Sequence, residues 1–262
     1  MSNVVFQVNI KGHRTKPEFD LSTKSWAIWC EKNNLEHFVL TEPIYDLSYM
    51  NANWHKFFVL ELLEKQGVDY EQVCIVDADT IVHPKCPNFF ELTDNKFSVV
   101  QSDGCYEWVN RSIGAYHTYF FPNIYLKTWT YFNSGFMILN KSHRKFCDEV
   151  YEFYKENQQK LVEAQKTFMV GTDQTPINFL TRQHEIELKW LPNAYNLHDP
   201  YRKDLLFIDP SNWWPDDLNN LYNSGWVYHF NAIPNNNLKR DAGYWIKTVS
   251  YTHLRAHETS TH

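Results

Sequence analysis

The chain has 262 residues, 43% of them hydrophobic, which is enough to bury the core of one α/β domain. A formal net charge of -6 excludes a global basic field for nucleic acid or an anionic membrane, so an anionic ligand has to be held by local groups. No stretch approaches the roughly 18 to 20 consecutive apolar residues of a transmembrane span, and the amino terminus lacks the basic start and long apolar run of a leader.

Five scattered cysteines without a Cys-x-x-Cys pair predict free thiols in a reducing, cytoplasmic setting and give a zinc site little support. Aromatic residues make up 17% of the chain, a load that must go mostly to the core, with some fraction free to line a sugar-binding cleft.

In chain order, "VVFQVNI" (4–10) predicts a first strand, and "FDLSTKSWAIWCEKNN" after it carries helical spacing at Leu21, Ile28 and Trp29. "HFVLTEP" predicts a second strand. "NANWHKFFVLELLEKQG" predicts a helix capped by Asn51 or Asn53 and stopped at Gly67. "QVCIVD" predicts a third strand. Alternating strand and helix implies right-handed crossovers and a mostly parallel sheet with helices on both faces, a doubly wound, Rossmann-like α/β class. Ligands of such sheets bind at the carboxyl ends of strands. The G-x-G-x-x-G dinucleotide signature is missing, because "NIKGHRTKPEF" contains only Gly12, and no P-loop glycine cradle is present.

"KFSVVQSD" predicts a fourth strand, followed by a long aromatic-rich loop over 104–130 that is expected to close over a ligand. "YFNSGFMILNKSH" then predicts a strand running into the helix "RKFCDEVYEFYKENQQKLVEAQ", and "GTDQTPINFLTRQ" predicts a further helix with Thr172 as N-cap. The last third alternates short strands, "EIELKWLP" and "GWVYHF", with Asn- and Pro-rich loops such as "DPSNWWPDDLNN". Residues 1–248 are expected to form one domain. The composition of 249–262, "VSYTHLRAHETSTH", changes abruptly and predicts a disordered tail or sequence foreign to the fold.

The chemistry centres on Asp77-Ala78-Asp79 at the exit of the third strand. Two carboxylates at that spacing suit one hard divalent cation bridging to a diphosphate. They suit equally a strand end and a turn, so the tripeptide alone leaves both readings open.

"CIVDADTIV", "YFNSGFMILN", "GTDQTPIN" and "WVYHF" occur in an order and spacing that resemble GT-A fold glycosyltransferases, most of all glycosyltransferase family 8, which includes glycogenin and bacterial galactosyl- and glucosyltransferases. The likeness runs over about residues 4–234. It implies that Asp77, Asp79 and His229 hold Mn2+ or Mg2+. Asn133 is implied beneath the donor sugar, with Ser134 and Gly135 forming a close backbone turn beside it. Asp173 and Gln174 match the family's catalytic Asp-Gln pair, and Asn178 the Asn further along that helix. Lys56 matches a basic residue near the donor. Gln7, Val8 and Asn9 end the first strand where the base and ribose would rest, and Ala78 lies between the two metal-binding aspartates.

The implied donor is a nucleoside diphosphate sugar, a UDP-sugar, and the acceptor a hydroxyl on a glycan, lipid, protein or small molecule. The Asp-Gln pair implies retention of anomeric configuration. The sequence departs from the family at Ala232 and Asn235, where a Gly and a diphosphate-binding Lys are usual, with Lys239 or Arg240 as substitutes, and at Thr175 and Pro176 after the Asp-Gln pair. Two other readings remain: a nucleotidyltransferase on a related sheet, which needs a glycine-rich basic loop after the first strand, and a carbohydrate-binding relative without turnover. Oligomeric state is not legible.

Overall fold

The computed structural model describes residues 2–11, 17–102, 105–198, 224–231, 233 and 242–258, with side chains to residue 250. Gly12, Ala232, Asn235, Lys239, Arg240 and the loop "DPSNWWPDDLNN" lie outside the described residues.

The strands β1 (Ser2–Val8), β2 (Glu36–Leu40), β3 (Tyr70–Asp77), β5 (Phe97–Gln101), β6 (Phe132–Asn140) and β7 (Leu188–Leu191) form one sheet in the order β2-β1-β3-β6-β5-β7. β1 pairs in parallel with both β2 and β3, as the opening strand–helix alternation requires, and β5 with β7; β6 runs against its neighbours β3 and β5. The sheet is therefore mixed, with one reversed strand in a mostly parallel array.

Both faces of the sheet are covered, and the strand period of two assigns the residues. Val4, Phe6, Val73, Ile75, Val99 and Met137 join the core shared with α2 (Val59–Lys65), α4 (Arg144–Phe168) and α5 (Gln174–Gln183). Val5, Cys74, Val76, Val100 and Ile138 face the other way, onto Trp26 and Trp29 of α1 (Phe19–Lys32). Trp29 stacks on Phe89 at 4.7 Å, and Trp26 meets Trp29 edge-on at 5.8 Å, so much of the aromatic load is core.

Three local expectations change. The segment expected as a loop over 104–130 carries a helix: α3 (Tyr106–Tyr119) fills about half of it, burying Val109, Ser112 and Tyr116 at helical spacing. Aromatic residues mask that period because several of them, Tyr106 and Tyr119 among them, face solvent. The helix predicted over 51–67 begins with a 3-10 segment, Ala52–Phe58, before α2, and Asn51 makes no side-chain cap. Three residues per turn line Asn53 up with Lys56, and both reach toward Asp173. At α5 the N-cap is Asp173, while Thr172 donates from Oγ1 to the Asp173 carboxylate at 2.9 Å.

A second, two-stranded sheet pairs β4 (Thr80–Val82) antiparallel with β8 (Val227–His229), setting Thr80 opposite His229. Ile81, Tyr228 and Phe230 pack there against Trp245 and Ile246 of α6 (Ala242–Glu258). This helix crosses residue 248, so the segment 249–258 of the predicted tail is helical, with Val249 and Ser250 buried. Residues 259–262 lie outside the described residues.

Among the described residues no disulfide forms, and Cys30, Cys74, Cys86 and Cys147 are buried thiols. No described helix is long and apolar enough to cross a membrane.

Candidate metal centre and its polar surround

β3 delivers Asp77 at its carboxyl end, and a tight turn brings Asp79 round to face it. That turn is held from behind: Thr80 Oγ1 donates to the Asp77 carbonyl at 2.7 Å, and the Trp26 indole N–H donates to Thr80 Oγ1 at 2.9 Å. Gln7, buried at the end of β1, donates to the same carbonyl at 3.4 Å and is fixed by Ser22 and Thr23 of α1. His229 arrives from β8, where the Phe230 N–H donates to the Asp79 carbonyl at 2.9 Å and clamps the two segments together.

The result is a cluster in which Asp77, Asp79 and His229 offer ligand atoms all within 4.8 Å of one another. His229 Nε2 lies 3.1 Å from Asp79 Oδ1 and 3.9 Å from Asp77 Oδ2. It is buried, faces these oxygens out of alignment for a hydrogen bond, and has no hydrogen-bond partner. An imidazole nitrogen left unpartnered between two carboxylates fits a cation-binding set, and two carboxylates with one imidazole suit Mn2+ or Mg2+.

Charge points the same way. Lys56, with a side chain only 2% exposed, places Nζ 2.8 Å from Asp77 Oδ1, 3.1 Å from Asp173 Oδ2 and 3.2 Å from the Ser134 carbonyl. Burial works to neutralise this ammonium, but Asp173 and Asp77 outweigh it and hold the Lys56 pKa above its usual value. The three carboxylates Asp77, Asp79 and Asp173 face one lysine, which leaves an excess of negative charge that a divalent cation would offset. Burial raises the Asp77 pKa despite Lys56 and His229, while Asp79 is held below its usual value against burial by the charge of His229. His229 in turn is raised, the pull of Asp79 and Asp77 exceeding its burial.

Asp173 sits at the start of α5 but spends its carboxylate sideways. It accepts from Ser134 Oγ at 2.9 Å, Thr172 Oγ1 at 2.9 Å and Asn53 Nδ2 at 3.4 Å, in addition to the Lys56 contact. Burial opposes its ionisation, yet Lys56 with Ser134 and Thr172 keep its pKa below the usual value. Gln174 accepts the Ser134 N–H at 3.3 Å. Asn178 is bound on both sides to the backbone of Phe132, accepting its N–H at 2.8 Å and donating to its carbonyl at 2.9 Å.

A bulge in β6 makes these contacts available. Val99 pairs with Met137 but the next residue, Val100, pairs with Asn133, so the three residues between are pushed out of the β5 ladder. Ser134 and Gly135 lie in it, and Gly135 packs so tightly that an added Cβ would stand 2.2 Å from His229 Cε1 and 2.9 Å from Asp77 Oδ2. Tyr116 of α3 donates to the Gly171 carbonyl at 2.8 Å, and the Trp108 ring lies against Gly171, so α3 shapes the approach to Asp173.

Of the residues singled out from sequence, Lys56, Asp77, Ala78, Asp79, Ser134, Gly135, Asp173, Gln174 and His229 converge on this one centre. Asn133 lies beneath it, with its side-chain oxygen accepting the Gly135 N–H at 2.8 Å. Val8 and Asn9 stand at the end of β1, next to β3; the Asn9 amide donates to Thr23 at 3.3 Å. Two contributors escape a sequence reading: Asn53, legible only as a cap, and Asn196, whose Oδ1 lies 3.1 Å from His229 Nδ1.

No family model matches the chain, and no curated protein matches it. Solved structures do. The chain is similar to a glycosyltransferase involved in the glycosylation of the major capsid of PBCV-1, at TM-score 0.58 and 8% identity, covering 95% of this chain and 100% of that one. It is also similar to an active-site mutant of LgtC, at TM-score 0.50 and 13% identity, covering 95% of each chain. Together with the mixed, mostly parallel sheet sandwiched by helices, these likenesses show that the chain has the GT-A glycosyltransferase fold.

Proposed function

We propose that the protein is a metal-dependent glycosyltransferase, of the family 8 type, that moves a sugar from a nucleoside diphosphate sugar to a hydroxyl acceptor with retention. The observation that carries this reading is the meeting of Asp77, Asp79 and His229 with the Lys56–Asp173 pair at the carboxyl ends of the strands of a GT-A fold. Residues 1–248 act in this reading as one catalytic domain that α6 carries on past residue 248, and buried thiols support a reducing, cytoplasmic setting.

Asp77, Asp79 and His229 would hold Mn2+ or Mg2+, which when bound offsets the negative charge developing on a diphosphate leaving group. Lys56 pairs with Asp77 Oδ1 and Asp173 Oδ2 and opposes the burial that works to neutralise them, which leaves Asp77 Oδ2 for a ligand. Asp173 accepts a sugar hydroxyl in exchange for its long 3.4 Å contact from Asn53, and Asn133, Ser134 and Gly135 form the floor under the sugar. Gln174, anchored through its carbonyl oxygen by the Ser134 N–H, stands by the anomeric carbon; an amide is a poor nucleophile, which favours front-face substitution. The acceptor oxygen bonds to the anomeric carbon as the bond to the diphosphate oxygen breaks, and the acceptor proton passes to the departing phosphate. Val8 and Asn9 line the base and ribose end, and Asn178 holds the start of β6 in place. The donor is a UDP-sugar, and the acceptor a hydroxyl of a glycan, lipid, protein or small molecule.

The test is a thermal-shift and donor-hydrolysis screen against nucleoside diphosphate sugars with and without Mn2+. Native-state binding raises the unfolding midpoint, and one donor is expected to do so only with the metal. Failure of every nucleotide sugar to bind, together with an unchanged Asp79→Asn variant, rejects the reading. The anomeric configuration of the product, read by NMR, decides retention.

A further inference from the structure

The orientation of His229 can be traced through a chain of side-chain amides. The Gly135 N–H donates to Asn133 Oδ1 at 2.8 Å, which fixes that atom as the oxygen. Asn196 Nδ2 donates to the same oxygen at 3.0 Å. With its nitrogen so committed, Asn196 turns Oδ1 toward His229 Nδ1 at 3.1 Å. An amide oxygen only accepts, so Nδ1 must carry the ring proton, and in a neutral imidazole Nε2 is then the bare acceptor. That is the nitrogen facing Asp79 and Asp77 with no hydrogen-bond partner.

The three residues are buried, at 2% exposure for Asn133, 1% for Asn196 and 5% for His229, so water does not substitute freely for these contacts. The backbone holds them in register: the Leu197 N–H donates to the Val227 carbonyl and the His229 N–H to the Leu197 carbonyl, each at 2.8 Å. Asn196 thus rides on the strand that carries His229.

We propose that Asn196 is a positioning residue for the divalent cation: it fixes His229 in the Nδ1–H tautomer so that Nε2 presents its lone pair to an ion shared with Asp77 and Asp79. The proposal rests on the metal reading of that cluster and adds how the histidine is made ready for it. Partners of this kind to metal-binding histidines set ligand orientation and basicity, and their loss typically costs about 10- to 100-fold in metal affinity.

The experiment uses the full chain labelled with 15N-histidine, metal-free and at alkaline pH, with long-range 1H–15N correlation to read the His229 tautomer and His229→Asn to assign its signals. Mn2+ affinity is measured in parallel from the EPR signal of the free ion. Wild type is expected to show Nδ1–H and to bind Mn2+. Asn196→Leu is expected to lose the Nδ1–H preference and to bind Mn2+ about 10- to 100-fold more weakly. Asn196→Asp, which still accepts from Nδ1, keeps the tautomer and binds more tightly than the Leu variant. A role confined to packing leaves the tautomer untouched.

A folded Asn196→Leu with wild-type tautomer and affinity overturns the proposal, as does an Asp variant with the proton on Nε2. Should circular dichroism show the Leu variant unfolded, the Asp variant decides alone. Wild-type protein that binds no Mn2+ rejects the metal reading itself, a result distinct from wild-type binding that the Leu variant matches.

Discussion

Gly135 and His229 are in such close contact that position 135 has no room for a methyl group: the atom would lie 2.2 Å from the imidazole Cε1 and 2.9 Å from its Nδ1. Both partners are buried, so relief requires the ring to move. Gly135→Ala is therefore expected to displace His229 from Asp79 and weaken Mn2+ binding by more than tenfold, with an overpacking cost of about 1–3 kcal/mol. Calorimetric titration with Mn2+ and urea unfolding read the two effects separately, and an Ala variant with unaltered affinity rules out His229 as a ligand in this geometry.

Lys56 is the cation between Asp77 and Asp173. Replacing it by Met keeps most of the apolar stem and strands the two carboxylates. Removing one member of a buried pair costs about 3–5 kcal/mol, because the remaining charge is left without compensation. The urea midpoint of metal-free Lys56→Met should fall accordingly. A midpoint near wild type would mean that solvent reaches Asp173 freely, against its 4% exposure.

The same pair predicts a pH profile with two shoulders. The folded-state pKa of Asp173 lies below its unfolded value of 3.8, so its contribution is present above that pH and is lost as pH falls through the lower folded value. Lys56 has a folded value above 10.5, so its contribution is present below that pH and lost as pH rises through the higher folded value. The stability gap between wild type and Asp173→Asn, measured by denaturant unfolding across pH, should be widest on the plateau between and should close in acid. A gap that persists unchanged well below pH 3.8 shows that the charge of Asp173 is not its source.

Asn178 acts as a side-chain extension of the sheet, pairing with both the N–H and the carbonyl of Phe132. Asn178→Leu fills the same space and leaves both backbone groups buried without partners, at about 1–3 kcal/mol for each. Amide hydrogen exchange at Phe132 and Asn133 is expected to accelerate in this variant more than elsewhere in β6. Uniform acceleration along the strand indicates global destabilisation instead.

What could be read from the chain depends on the range of the interactions involved. Asp77 and Asp79 were legible because a strongly apolar strand ends on them, and the placement of β1, β2 and β3 followed from alternation with helices. The reversal of β6 was not legible, since an apolar run such as FMIL fits a strand in either direction. β4 and β8 are three residues each, too short to show a period, and their pairing is what brings His229 to Asp79. Asn53 and Asn196 carry no local signal because their roles are defined by partners far away in sequence. α3 was hidden by aromatic residues on its exposed side, which blur the apolar stripe that marks a packed helix.

The pairing of β4 with β8 also sets when this site can exist. Asp79 leaves the ribosome early and His229 much later, and among the described residues none nearer in sequence joins the two aspartates in a metal-binding set. Contacts that span so much chain form late, after the large sheet has collapsed and the cost of closing the intervening segment has been met. A nascent or partly unfolded chain thus carries the aspartates without the imidazole, and tight cation capture becomes a property of the completed fold. Protection of β8 from hydrogen exchange should accordingly appear together with cation affinity during refolding, and neither before the six-stranded sheet.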